Sequence, residues 1–211
     1  MKRSFRHWTP RYLWSRLKDK HFRQTYPDLP WFSPQSIVFL QDYLLSTDMG
    51  LEFGAGRSTL WFAQKVKHLT SVEHNREWVE KVNSMLQARA LTNVDVIFQP
   101  RLDGTPLDIA NSGYVAVTRQ FSAESLDFVS IDGIYRAECA LNSLHLLKHS
   151  GLLIIDNVNK YLPSASKAPN SRSFKEGPAD ATWEEVWKQL HLWRSYWTGN
   201  GVSDTALFFK P

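Results

Sequence analysis

The sequence predicts a doubly wound α/β domain on a mainly parallel, seven-stranded sheet. Three observations carry that expectation. Strand-like apolar runs alternate with helical patterns from residue 50 to residue 192, which argues for parallel strands joined by right-handed crossovers. The first of these runs ends in the glycine-rich turn Glu52-Phe53-Gly54-Ala55-Gly56-Arg57-Ser58, opening a helix. The chain closes on two short β-like runs separated by Gly199-Asn200-Gly201, which is turn chemistry and predicts a C-terminal antiparallel hairpin.

Two helices come first. Thr9-Pro10 reads as N-cap and first helical residue of a helix to about residue 24, which Tyr26-Pro27 and Leu29-Pro30 terminate. Ser33-Pro34 repeats the signal, and Ile37, Val38, Leu40, Leu44 and Leu45 give the second helix an apolar face. The pattern then predicts strands at 50–53, 69–73, 94–98, 126–131 and 151–156. Helices are expected at 58–68, 76–90, 135–149 and 182–192, and the hairpin strands at 193–197 and 205–210. Residues 160–181 are rich in Ser, Pro, Ala and Lys and lack periodicity, so a mobile lid-like loop is expected there.

A chain of 211 residues with 43% hydrophobic content fits one domain with an appendage. The single cysteine, Cys139, lies in an apolar helical pattern, so neither a disulfide framework nor a zinc site is indicated. No apolar run reaches membrane-spanning length, and a cytoplasmic protein is expected. The net charge of +4 is uneven. Residues 1–25 carry Lys2, Arg3, Arg6, Arg11, Arg16, Lys18, Lys20 and Arg23 against Asp19, a net +7, and the rest of the chain is −3. The basic balance therefore describes an N-terminal arm, within a helical extension at 1–48 that precedes a domain at 49–211.

A glycine-rich turn between strand and helix lets the backbone approach a ligand and aims free amides at it. A dinucleotide turn would place a third glycine where Thr59 stands, which speaks against a nicotinamide dehydrogenase. Glu73, ending the second strand nineteen residues after Gly54, can accept both hydroxyls of a ribose.

In these features, in Ser71-Val72-Glu73-His74, in the run 126–133 ending Asp132-Gly133 and in the run 146–157 ending Asp156-Asn157, residues 49–210 resemble the class I S-adenosylmethionine-dependent methyltransferases. The resemblance implies that S-adenosylmethionine is the cofactor. Glu52, Phe53, Gly54, Ala55, Gly56 and Ser58 would form its turn, Glu73 and His74 its ribose end, and Asp132 an acid beside the sulfonium; Trp78 could lie against the adenine. A narrower similarity, to cation-dependent O-methyltransferases, implies a divalent cation (Mg or Ca) on Asp132, Asp156 and Asn157. Asp156-Asn157 equally fits a strand end and turn cap. Those enzymes carry a lysine where this chain has Tyr135, so a lysine base does not carry over.

Asp132 and Asp156 are candidate catalytic acids. Arg136 either positions an anionic substrate group or pairs with Asp132 or Glu138. His74 and His145 are secondary candidate bases. The nine tryptophans read mostly as core. The basic arm suits a lid over the cofactor, a peripheral contact of residues 1–25 with an anionic surface (lipid or nucleic acid), a homodimer contact, or a solvated helix. The expected function is methyl transfer to an oxygen or nitrogen nucleophile of a small-molecule acceptor. The alternative is a non-catalytic binding module that uses the arm.

Overall fold

The computed structural model describes residues 8–211, so Lys2, Arg3 and Arg6 of the basic arm lie outside the described residues. Helix α1 (Pro10–Thr25) starts as its sequence dictates: Thr9 is extended, its hydroxyl accepts from the Tyr12 amide at 3.2 Å, and Pro10 occupies the first turn. None of its residues is buried. Helix α2 (Pro34–Tyr43) starts where the cap signal puts it, but Ser33 does not cap it. The Ser33 hydroxyl turns instead to Ser36 and to Thr198, and its amide donates to Thr205 Oγ1 at 2.9 Å. Long-range hydroxyl partners outcompete the local cap there.

The remaining elements are β1 (Met49–Phe53), α3 (Arg57–Ala63), β2 (His68–Glu73), α4 (Arg76–Ala88), β3 (Val94–Phe98), α5 (Pro106–Ala110), α6 (Gly113–Ala116), β4 (Leu126–Ile131), α7 (Arg136–Ser143), β5 (Leu147–Asp156), α8 (Ala181–Leu190), β6 (Arg194–Gly199) and β7 (Asp204–Phe209). They form one seven-stranded sheet of order β3-β2-β1-β4-β5-β7-β6. Strands β1 to β5 run parallel, β7 is antiparallel to β5, and β6 pairs back antiparallel onto β7. The strand order reverses at β1 and β4, and in open sheets of this kind ligands bind beyond the carboxyl ends at that reversal.

Both faces are apolar, as a sheet covered on both sides requires. Phe128, Leu152, Ile154 and Leu207 pack with Ile37 and Leu40 of α2 and Phe62 of α3. Val129, Ile131, Leu153, Ile155 and Phe208 pack with Val115 of α6, Cys139 of α7 and Trp183 of α8 on the other. Helix α2 is thus part of the domain core, whereas α1 has no buried residue and touches that core through the half-buried Phe22.

Two helices are shorter than their patterns. The 58–68 pattern stops at Ala63, because Lys67 and His68 donate their amides to Asp48 O and lead into β2. The 135–149 pattern gives α7, then a 3₁₀ turn at Leu144–Leu146, and β5 begins at Leu147, which pairs with Leu126. Sheet pairing overrides helix propensity at both places. Helices α5 and α6, started by Thr105 and Ser112, lie in a stretch for which periodicity indicated no element.

The segment after β5 is not structureless. Asn159, fully buried, accepts from the Asp204 amide through Oδ1 (3.1 Å), donates through Nδ2 to Pro169 O (3.3 Å) and Ser171 Oγ (3.0 Å), and accepts the Arg172 amide on its carbonyl (2.9 Å). One side chain ties the loop to the hairpin. Asn159→Ala strands a buried amide, and we expect a loss of about 3 kcal/mol in urea unfolding together with faster tryptic cleavage after Lys167 or Lys175. Unchanged stability and cleavage would show that the tie is redundant.

Candidate functional site

The glycine turn leaves β1 at the strand-order reversal. Gly54 has φ +100°, and a Cβ there would lie 2.7 Å from Gly133 N, so the β1 and β4 turns meet backbone to backbone. A Cβ on Gly133 would overlap the Tyr114 hydroxyl, which donates to Val72 O at 3.3 Å. No larger residue fits at either glycine.

Under this turn sits Glu52, with no exposed surface. Its carboxylate accepts from Ser58 Oγ (2.5 Å), Thr59 Oγ1 (2.5 Å) and Ser71 Oγ (2.6 Å), while the Gly56 amide donates to Thr59 Oγ1 (2.8 Å). Burial, only partly offset by these donors, pushes the carboxyl up to about 7. Glu52 therefore supports the turn from beneath, and the turn's own glycine amides are held internally, Gly54 N by Val72 O (2.8 Å) and Gly56 N by Thr59. Thr59, standing where a dinucleotide turn has glycine, has a positive role as the relay between Gly56 and Glu52.

At the end of β2, Glu73 is nearly buried. Its Oε1 accepts the amides of His74 and Asn75, both at 2.9 Å, and His74 Nδ1 lies 2.8 Å from the same oxygen without hydrogen-bond alignment. Among the described residues Oε2 has no hydrogen-bond donor, which leaves it to accept hydroxyls from a ligand. The Trp78 indole N–H donates to Ala55 O at 2.7 Å, so this ring is held against the turn. The carboxylate with one oxygen tethered and the other unbonded among the described residues fits a ribose-bearing cofactor, while Gly54 and Gly133 are required by their contact with each other and with Tyr114.

The ends of β4 and β5 carry the second cluster. Arg136 donates through Nε to Gly133 O (3.0 Å), through Nη1 to Asp156 O (2.5 Å), and through Nη2 to Asp132 O (2.6 Å) and Oδ1 (2.7 Å). Of its two sequence readings, the ion pair with Asp132 is the one found, and its guanidinium clips the two strand ends together. Burial raises Asp132 against the opposing pull of Arg136, and burial with the neighbouring Asp132 pushes Asp156 up to about 7. Asp156 Oδ1 accepts from Thr205 Oγ1 at 2.8 Å and Oδ2 from the Asn157 amide.

The divalent-cation expectation is not met by this donor set. Asn157 Oδ1 is taken by Lys160 Nζ at 2.6 Å, Asp132 by Arg136, and the Asn157 amide nitrogen faces Asp156. Two protein cations occupy the Asn157 oxygen and one Asp132 oxygen, and the described residues contain no group of three or more His, Cys, Asp or Glu side chains that could hold a metal ion. Lys160 escaped sequence reasoning although it lies three residues beyond Asn157. Burial and Arg136 lower its pKa.

A cavity of about 1220 Å³ opens over this cluster, floored by Asp132, Arg136, Asp156 and Lys160 and roofed by α1. Helix α1 is held over it by Asn200 Nδ2 donating to Asp19 (2.9 Å) and by Arg23 lying over the Trp31 ring, 4.9 Å from its centroid. Tyr135, at the position of the expected lysine, is occupied elsewhere: it accepts the Leu102 amide at 2.7 Å and fastens the loop after β3. His145 lies in the 3₁₀ turn before β5, at the opposite end of that strand from Asp156. No helix of the described residues is long and apolar enough to cross a membrane.

No protein-family model matches the sequence, and no curated protein matches it. Solved structures do. A putative caffeoyl-CoA O-methyltransferase from Staphylococcus aureus is 17% identical, with TM-score 0.60 over 98% of this chain and 95% of that one. A methyltransferase-like protein from Silicibacter pomeroyi is 20% identical, with TM-score 0.58 over 85% and 87%. A putative methyltransferase from Streptococcus mutans in complex with SAH is 13% identical, with TM-score 0.55 over 85% and 98%. The chain has the class I S-adenosylmethionine-dependent methyltransferase fold.

The buried Glu52 makes stability pH-dependent. Its folded pKa of about 7 exceeds the ordinary 4.5, so the folded state holds a proton that the unfolded chain releases between these values. The resulting stabilisation is complete below about 4.5 and is lost as pH rises through 7, and Asp156 acts in the same direction. We expect a lower unfolding free energy at pH 8 than at pH 5, with up to about 3 kcal/mol of the slope absent in Glu52→Gln. Equal slopes for the two proteins in urea titrations would contradict the assignment.

Proposed function

We propose that this protein transfers a methyl group from S-adenosylmethionine to an oxygen or nitrogen nucleophile of a small-molecule acceptor held in the cavity beneath α1. The observation that carries the reading is the adjacency of two sites at the strand-order reversal. One is a backbone turn with a half-bonded acid, at Gly54, Gly56 and Glu73. The other is a cavity floored by two acids of raised pKa, Asp132 and Asp156. The neighbours' names and the SAH bound to one of them lend support.

In this reading the side-chain-free backbone of the turn lets the cofactor approach closely and Glu73 accepts its hydroxyls, with Trp78 fixing the turn and His74 flanking Glu73. The cofactor supplies an electrophilic methyl group when bound. The protein aligns the acceptor and takes its proton. Asp156, with a pKa of about 7, can accept a proton from an acceptor hydroxyl or amine near neutral pH, and Thr205 and Asn157 hold its oxygens in place. Arg136 keeps the Asp132 carboxylate and the β5 end at a fixed separation, which is the positioning that lets alignment contribute to rate. Asp132 faces the same cavity and contributes negative potential.

Isothermal titration with SAH tests the base of this reading. Wild type should bind, and Glu73→Ala, which removes the acceptor for two hydroxyls, should bind about 10- to 100-fold more weakly. No binding by the wild type, or equal binding by the variant, would overturn it.

A further inference from the structure

The charges around the cavity are unbalanced, and the imbalance has a location. Arg16, Lys20, Arg23, Arg57, Arg136 and Lys160 line it, against Asp19, Asp132 and Asp156. On the floor the cations are matched: Arg136 is bonded to Asp132, and Lys160 lies against Asn157 with Asp156 beside it. Toward α1 they are matched only in part, Arg23 acting on Asp132 through its charge without bonding to it. Asp19 pairs with Arg23 through Nε alone (2.9 Å), leaving both terminal nitrogens of that guanidinium without an acceptor among the described residues. Among the described residues Arg16, Lys20 and Arg57 have no carboxylate within ion-pair reach.

Two of these cations are held in a defined arrangement. The guanidinium groups of Arg23, from α1, and Arg57, the residue after the Gly54–Gly56 turn, both lie over the Trp31 ring, 4.9 and 5.5 Å from its centroid. Trp31 is half exposed and bears on the cavity. Two like charges beside one indole repel each other, and the ring offsets only part of that cost. An oxyanion in the cavity that both line relieves the repulsion and satisfies free N–H donors whose fork geometry suits phosphate or carboxylate.

We propose that the acceptor of the methyl group is anionic, and that its phosphate or carboxylate group is bound by Arg23 and Arg57 beside Trp31 while its nucleophile reaches Asp156 on the floor. This assignment rests on the methyltransferase reading. Arg23 belongs to α1 and Arg57 to the domain, so such a ligand also fastens α1 over the cavity. Arg16 and Lys20 add attraction at the entrance.

Sodium pyrophosphate and sodium citrate serve as probes, titrated calorimetrically at low ionic strength into the full chain with and without saturating SAH. The wild type should bind at least one of them, and the tighter of the two assigns the group as phosphate or carboxylate. Binding should weaken with added sodium chloride, fall at least tenfold in Arg23→Gln/Arg57→Gln, and persist in the exposed control Arg119→Gln. SAH affinity in the double variant should stay within about twofold of wild type. SAH binding without binding of either anion overturns the anion site alone, as does an equal loss in Arg119→Gln. A tenfold loss of SAH affinity in Arg57→Gln overturns the acceptor assignment by placing that cation on the cofactor. Anion binding at Arg23 and Arg57 with no SAH binding keeps the site and overturns the methyltransferase reading.

Discussion

A carboxylate with no contact to solvent organises the centre of this molecule. Glu52 ends up beneath the glycine turn because β1 is the middle strand of the reversal, flanked by β2 and β4, and because three hydroxyls from α3 and β2 converge on its oxygens. An unpartnered carboxylate at that depth would cost several kcal/mol, so the positions of Ser58, Thr59 and Ser71 are tightly constrained. Their constraint passes upward. Thr59 holds the Gly56 amide, Gly54 is pressed against Gly133, and the turn is thereby locked to the end of β4 before any ligand arrives.

Arg136 does for β4 and β5 what Glu52 does for β1 and β2. Its four donated bonds span the carbonyl ends of two parallel strands, where strand carbonyls would otherwise diverge with the sheet twist. The two acids it separates are thereby kept close enough to raise the pKa of Asp156. The β1–β2 side and the β4–β5 side are thus each fixed by one ionisable residue, Glu52 fully buried and Arg136 half-buried. They meet at the Gly54–Gly133 contact.

The hairpin and the N-terminal segment complete this arrangement from outside the parallel sheet. Thr205 on β7 holds Asp156 and the Ser33 amide at once, so the antiparallel strand connects the floor of the cavity to the entry of α2. Helix α1 has no buried residue and is held by few contacts, which suits an element that covers a site rather than one that builds the core.

The sequence by itself determined the order and type of the principal elements, because apolar periodicity and the Thr9-Pro10, Ser33-Pro34 and Gly54–Gly56 signals are local. It likewise placed Glu73, Asp132 and Asp156 at strand ends, since a strand end is readable from where an apolar run stops. What those side chains touch was decided only by the tertiary structure. Glu52 could not be told from a ligand-facing acid until Ser71, on the neighbouring strand, was seen to reach it. The open alternatives at Arg136 and at Asp156-Asn157 resolved into an ion pair and a lysine-occupied amide once β4 and β5 lay side by side. Helix ends at residues 63 and 143 yielded to strand pairing in the same way. The physical reason is common to all of these: hydrogen bonds and ion pairs act over a few ångströms of space, and the sheet brings together residues that the chain keeps tens of positions apart.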